Sequence, residues 1–424
     1  MTPALGGLFV LALLSLLVSL VRARFPETLA AICIGVMSLI YIQGEGPLAA
    51  LRNDTYTFLA AGGLAVSLLV LYFRSDHSAL RDRFVVGCLA AFVLWVIVGG
   101  VLGIRLSDQW KVTGTYIAML LLPFAFPYGH RFLPLYGLVA GAVYQIAVAL
   151  LGGYYVPTLS GVAQLSAGIQ PNILALQAAV VAVVGSVIVV SRPWLGFRWW
   201  LGVLLFALGS VAIVLTVSRS GMVALAAAIG VLLLMNTRLE LAILGGLAVA
   251  FAAVALIADV FRVTAFTDWF VRGDVASLST LTGRTEIWAL ALSMVEERPV
   301  VGWGFAALYR HDYSGGRFLD LVEGTNAHNV WLQAVVETGV IGMMTLAGVL
   351  WGAIRVARVT APSADKTLLY PLLALLILNS LVSAGFATIG FATFLFGAVI
   401  SAASWRPEPV DLSTVIKRVD VGTA

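Results

Sequence analysis

Apolar stretches of nearly span length follow one another along this chain, and they constrain its fold more than any motif does. They fall at about 4–21, 28–42, 57–73, 84–104, 114–129, 132–152, 172–191, 199–217, 220–236, 239–258, 329–354, 368–385 and 387–404. A helix crossing a bilayer needs ~20 predominantly apolar residues. Only 11% of the residues are charged, against about 25% in soluble domains. The runs show no alternation of polar and apolar residues, which barrel strands would require. The expected fold is therefore all-α, a polytopic transmembrane helical bundle of twelve or thirteen spans with one largely helical extramembrane insert. The expected division is 1–258 and 329–405 as transmembrane helices, 259–328 as the insert, and 406–424 as a tail.

Basic residues in short loops set the orientation. Arg22 with Arg24, Arg74 with Arg81 and Arg83, Arg131, Arg192 with Arg198, Arg238, and Arg355 with Arg358 and Lys366 fall on alternate loops, as does the tail with Arg406, Lys417 and Arg418. They mark one side as cytoplasmic. The insert falls on the other side, where six Arg stand against nine Asp and Glu between 259 and 328. The tail is then inside, and an odd span count puts the N-terminus outside. The first apolar run has no basic residue before it and no evident cleavage site, so it reads as a retained span.

Several function classes lose support at this level. The net charge of +4 comes mainly from arginines at span ends, the membrane pattern, and does not imply nucleic-acid binding. Cys33 and Cys88 each lie inside an apolar run and read as buried small hydrophobes. No HExxH, CxxC or paired-aspartate pattern stands in the sequence, so neither a metal nor another cofactor is expected. Ionisable residues are nearly absent from mid-span positions, which disfavours a proton-coupled transporter. Glu337 is the exception.

The insert has its own order. Ile287, Ala291 and Met294, with Trp288, Leu292 and Val295, recur at helical spacing between Arg284 and Arg298. Glu286 suits the first turn, and Pro299 ends the helix because the residue before a proline avoids helical geometry. Gly302 and Gly304 permit a tight turn, residues 310–326 read as a loop, and a helix restarts near His328.

Three side chains suit chemistry on an anionic substrate. Arg219, in Thr216-Val217-Ser218-Arg219-Ser220-Gly221, lies between two apolar runs, and its guanidinium fork suits two phosphate oxygens. The competing role is a snorkelling arginine at the interface. Arg284 opens the insert's helix, and helix N-termini favour anions. Its competing role is a surface ion pair. His328 can take up a proton near neutral pH. Asn329, Gln333 and Glu337 follow at i+4 spacing and place a polar stripe on a helix entering the membrane. These three are secondary candidates, with Tyr309 and Arg310. Trp303 and Trp331 read as interfacial anchors, with stacking on a sugar ring as the alternative.

The Ser-Arg-Ser-Gly turn, the Gly-Arg-Thr-Glu-Ile-Trp helix, the Arg-Pro-x-x-Gly-x-Gly turn and the His-Asn-x-x-Leu-Gln-x-x-x-Glu-x-Gly helix occur in that order. Together they resemble the O-antigen ligase and polysaccharide polymerase superfamily of bacterial inner-membrane proteins, and the ligases most. The resemblance covers roughly the second half of the chain. It implies a glycosyltransferase that takes a glycan from an undecaprenyl-pyrophosphate-linked donor on the periplasmic side, without a metal. A ligase passes the glycan to a lipid A-core acceptor and a polymerase to another lipid-linked glycan. The resemblance makes His328 the catalytic residue and Arg219 and Arg284 the pyrophosphate-binding ones. A lipid-linked glycan flippase or exporter is the alternative of another class. Such a protein should show a charged cavity between spans, and the sequence offers none.

Overall fold

The structure is a computed structural model that describes residues 80–102, 106–153, 155–157, 163–166, 170–191, 196–235, 284–305, 307, 327–361, 363–383 and 391–406. The apolar runs expected at 4–21, 28–42, 57–73 and 239–258, the loop at 310–326, and the candidates Tyr309 and Arg310 lie outside the described residues.

The chain is an all-α polytopic membrane protein. Its described helices are α1 (Arg83–Leu102), α2 (Leu106–Leu121), α3 (Leu133–Gly152), α4 (Pro171–Ser191), α5 (Phe197–Leu215), α6 (Arg219–Met235), α7 (Arg284–Glu297), α8 (Val330–Thr360), α9 (Ser363–Val382) and α10 (Phe391–Ala403). Among the described residues, 5 helices are long and apolar enough to cross a membrane. Most boundaries fall within a few residues of the apolar runs. The exception is α2. It starts at Leu106, before the apolar run at 114–129 begins, and gives way at Leu122 to a 3-10 turn holding Pro123. Two short ladders complete the described structure. β1 (Leu80–Arg81) pairs antiparallel with β4 (Trp405–Arg406), and β2 (Tyr155–Pro157) with β3 (Ala163–Leu165).

Side-chain contacts show which helix ends share a side. Arg81 donates to the Ser401 carbonyl and to both Ser401 Oγ and Ser404 Oγ at the end of α10, and to the carbonyls of Phe124 and Phe126 beyond α2. Its guanidinium also lies over the Trp405 ring at 4.2 Å. Burial lowers Arg81 to about 10, so it stays charged at neutral pH. Asp82 pairs with Arg355 at 3.2 Å and with Arg406. Arg131 pairs with Asp365 at 2.5 Å. The starts of α1, α3 and α9 and the ends of α2, α8 and α10 therefore meet at one basic end, as the alternating arginines require. The opposite end holds the starts of α8 and α10 and the ends of α1, α3 and α9. The β2–β3 hairpin joins the end of α3 to the start of α4, so α4 starts there too. Ser218 Oγ donates to Asn172 Oδ1 at 2.9 Å, which adds the α5–α6 turn to that end.

Helix α4 is apolar all round and runs through the interior, packed by α3, α5, α6, α9 and α10. Lipid tails are as apolar as leucine, so close backbone approach rather than water exclusion holds such helices together. A Cβ on Gly209 of α5 would lie 2.4 Å from the Ala178 carbonyl oxygen of α4. One on Gly185 would lie 2.5 Å from the Phe206 nitrogen. The two helices touch backbone to backbone. Replacing Gly209 with valine is expected to force them apart and lower the melting temperature and the monodisperse yield in detergent. Gly230→Ala, at a position with nothing within 4 Å, leaves both unchanged.

Candidate active site

Helix α7 ends where the sequence requires. Its interior is built on Ile287, Ala291 and Met294, which pack with Ala327 and Val336 in a small apolar cluster beside α8. The chain then turns through Pro299 to Gly304, with Gly302 at φ 71° and Gly304 at φ 94°. Opposite this turn α8 breaks at Gly339, whose φ of 64° and ψ of −174° are not helical. A break frees backbone groups inside the helix, and each freed group needs a partner. Trp303 N donates to the Val336 carbonyl at 2.9 Å, and Gly304 N to the Glu337 carbonyl at 2.9 Å. Val340 N donates to the Pro299 carbonyl at 2.8 Å. Trp95 Nε1, from α1, donates to the Thr338 carbonyl at 2.7 Å. A Cβ on Gly339 would lie 2.1 Å from the Val300 carbonyl oxygen, and one on Gly302 would lie 2.6 Å from Gly339 N. Only glycine fits at either point. The turn of one segment thus plugs the break in the other.

This joint places α7 alongside the first turns of α8. Trp288 Nε1 donates to the Ala327 carbonyl at 2.8 Å. Arg284 lies one turn earlier on the same face of α7, close enough for its charge to act on His328. The sequence separates these two residues by 44 positions, and the fold sets them side by side. Burial, and then the Arg284 charge, lower His328 to about 4. At neutral pH the imidazole is therefore uncharged and keeps a lone pair for a proton. An anion bound beside Arg284 would offset the repulsion and make His328 more basic.

The backbone at His328 is itself unusual. Its φ is 48°, in the left-handed region, which non-glycine residues seldom occupy. Asn329 caps α8, its Oδ1 accepting from Trp331 N at 2.9 Å and Leu332 N at 3.0 Å. Its Nδ2 donates to the Leu381 carbonyl at 3.1 Å, and Trp331 Nε1 donates to Ser380 Oγ at 3.1 Å. The start of α8 is fixed to the end of α9. Gln333 and Glu337 are both buried and bonded to one another.

Arg219 opens α6 at this same end, and α6 packs along α9, whose last turn holds Asn329. The Arg219 side chain lies outside the described structure. The turn before it is well defined. Val217 has φ 51°, an outlier for a β-branched residue. Ser218 Oγ accepts from Gly221 N at 3.3 Å and contacts Ser220 Oγ at 3.1 Å. Among the described residues, the two left-handed residues that are not glycine thus both stand at this end of the bundle, one at His328 and one two positions before Arg219.

Trp303 and Trp331 do more than anchor the chain at an interface. Trp303 Nε1 donates to the Met294 carbonyl at 2.8 Å, with the Arg298 guanidinium 4.4 Å over its ring. An open pocket of about 340 Å³ lies along the turn, lined by Glu297, Arg298, Val300, Trp303 and Gly99 among others. It includes neither Arg284 nor His328. The sequence reading missed Asn172 and the strain at Val217. No spacing signals either, because both arise from the way α5, α6 and α4 meet.

Residues 204–347 match the family model described as O-Antigen ligase. The matched segment holds α6, α7, the first turns of α8 and all three of Arg219, Arg284 and His328. That match supports the resemblance to the O-antigen ligase and polysaccharide polymerase superfamily. A stretch of 86 residues is 34% identical to the Exopolysaccharide production protein ExoQ of Rhizobium meliloti (strain 1021), covering 19% of this chain and 20% of that protein. The match spans about a fifth of the relative's length. A chain from a solved structure described as "Structural coordination of polymerization and crosslinking by a peptidoglycan synthase complex" overlays 76% of this chain and 97% of its own, with a TM-score of 0.42 and 14% identity. The two sequence matches support a glycosyltransferase-like role in polysaccharide assembly.

The low basicity of His328 has a measurable sign. The unfolded chain binds the histidine proton near 6.5 and the folded chain near 4. His328 therefore costs the fold nothing above about pH 6.5, and stability falls as pH drops from there towards 4. Arg284→Gln removes the smaller cause and leaves burial, so His328 should titrate higher in the variant but still below 6.5. Nitrogen-15 NMR of histidine-labelled protein in nanodiscs reads this directly.

Proposed function

We propose that the protein is an O-antigen ligase of the bacterial inner membrane. It transfers O-antigen polysaccharide from undecaprenyl pyrophosphate to a sugar of the lipid A-core oligosaccharide on the periplasmic side. The observation that carries this reading is the pairing of an uncharged, half-buried His328 with the Arg284 guanidinium, at the helix end where Arg219 also begins α6. The O-antigen ligase match over 204–347, which includes all three residues, supports it.

The chemistry follows from those groups. The donor's polyprenyl tail lies among the helices, and its pyrophosphate sits at the interface against Arg284 and Arg219. An acceptor hydroxyl attacks the anomeric carbon from the face opposite the pyrophosphate. The new glycosidic C–O bond forms as the bond to pyrophosphate oxygen breaks, and the anomeric configuration inverts. His328 takes the hydroxyl proton. Undecaprenyl pyrophosphate leaves with its bonding electrons, and the two guanidiniums stabilise the charge that develops on it. The two guanidiniums answer the charge of the leaving group, so the transfer is read as metal-independent.

The ExoQ match favours a second reading, in which the acceptor is another lipid-linked glycan and the product an exopolysaccharide or O-antigen polymer. Deleting the gene in its host separates the two. A ligase deletion should remove every O-antigen band from lipopolysaccharide and leave long polymer on the lipid carrier. Core bearing a single repeat would mean a polymerase. An unchanged profile on both counts would contradict the ligase reading.

A further inference from the structure

The buried polar stripe on α8 ends at a residue that cannot reach the reaction. Glu337 follows His328 by nine positions, which is about 13 Å along a helix at ~1.5 Å per residue. Yet it is 2% exposed, and Gln333 between them is fully buried. An ionisable side chain held that deep in a membrane protein needs a reason.

The hydrogen bonds supply one. Gln333 Nε2 donates to Glu337 Oε1, and Gln333 Oε1 accepts from Ala327 N at 2.8 Å. A carboxamide can sit either way round unless its neighbours choose for it. Here both ends choose. Ala327 N can only donate, so it takes the amide oxygen, and the Glu337 carboxylate offers an acceptor to the amide nitrogen. The amide has one orientation and Ala327 N one partner. The Ala327 carbonyl is held by Trp288 Nε1 at 2.8 Å, and Asn329 is held by its cap and by Leu381. His328 lies between these pinned residues at φ 48°. A left-handed residue other than glycine is strained and persists only where its surroundings over-determine it. Glu337 also carries the carbonyl that accepts from Gly304 N at the helix break. One residue therefore takes part in the joint with its backbone and aims the amide with its side chain.

We propose that Glu337 is a positioning residue for His328, acting through the Gln333 amide to hold the backbone that aims the imidazole at the acceptor. The inference rests on the reading that His328 receives the acceptor proton. It goes beyond that reading by assigning the stripe a task.

The test uses full-length protein in proteoliposomes and four variants: Glu337→Gln, Glu337→Leu, Gln333→Leu and the double Gln333→Leu/Glu337→Leu. One readout is the rate at which diethyl pyrocarbonate modifies His328, followed by mass spectrometry at a fixed pH. It needs no transfer activity. The other is kcat and KM for the lipid-linked donor. Glu337→Leu and Gln333→Leu should each change the modification rate at least about threefold. Each should lower kcat by about 10- to 100-fold, the scale of a misplaced catalytic group, with KM within about twofold. Glu337→Gln keeps an acceptor and should restore most of both. The double variant should match Gln333→Leu alone, since Glu337 acts on His328 through the amide. If Glu337→Leu fails to fold, Gln333→Leu and its comparison with Glu337→Gln carry the test. Unchanged His328 modification in folded Leu variants would overturn the proposal. So would Glu337→Gln as damaging as Glu337→Leu, or KM rising in step with the fall in kcat. A modification rate that responds in a protein with no transferase activity would keep the positioning role and refute the ligase reading.

Discussion

Backbone hydrogen bonding inside a membrane has to be complete, and helix α8 breaks that rule at Gly339 unless another segment completes it. The Pro299–Gly304 turn does so. It donates from Trp303 and Gly304 to the carbonyls of Val336 and Glu337, and accepts from Val340 at Pro299. Trp95 of α1 takes the Thr338 carbonyl. An unpaired backbone group in hydrocarbon costs several kcal/mol, so separating the turn from the break would carry a large penalty. Arg355 lies 17 positions beyond Thr338, about 26 Å at ~1.5 Å per residue. A bilayer core is about 30 Å thick. With Arg355 near one boundary, the joint lies just inside the other.

That location explains how an arginine and a histidine from separate segments come to share a site. Once the turn is fixed in the break, α7 has one course back along α8, set by Ile287, Ala291 and Met294 against Ala327 and Val336. Trp288 then reaches the Ala327 carbonyl, and Arg284 arrives beside His328. The charge pattern at the opposite end has a different task. Arg81, Asp82, Arg131, Arg355 and Arg406 are bonded to groups from other helix ends, so they tie the bundle together there. The protein keeps its structural arginines at one end and its candidate substrate-binding arginines at the other.

Much of this was legible in the sequence, and the failures have physical causes. Apolar runs located α1, α3 to α6 and α8 to α10 because span length and composition are local properties. Arg284 to Pro299 was legible as a helix with its stop, since spacing and proline act locally. The two glycines after Pro299 announced a turn, but nothing in them announced its partner. Gly339 reads as an ordinary glycine in an apolar run until the Val300 carbonyl is seen against it. The stripe of Asn329, Gln333 and Glu337 was visible as a pattern. Its division into a helix cap and an amide relay was not, because that depends on Leu381 and Ala327. Trp303 and Trp331 suggested membrane anchoring by residue type, whereas their indole N–H groups bind protein. Trp95 likewise serves the helix break.

The measurement that tests the central claim most directly is glycan transfer by the purified protein alone. It would be reconstituted with undecaprenyl-pyrophosphate-linked O-antigen and lipid A-core acceptor, and compared with a His328→Gln variant whose donor binding is measured in parallel. The account predicts transfer by the native protein. It predicts a loss of about 10²- to 10⁴-fold in the variant, the usual contribution of a general base, with donor binding retained. A variant that transfers at the native rate, or a native protein that binds donor and transfers nothing, would contradict it.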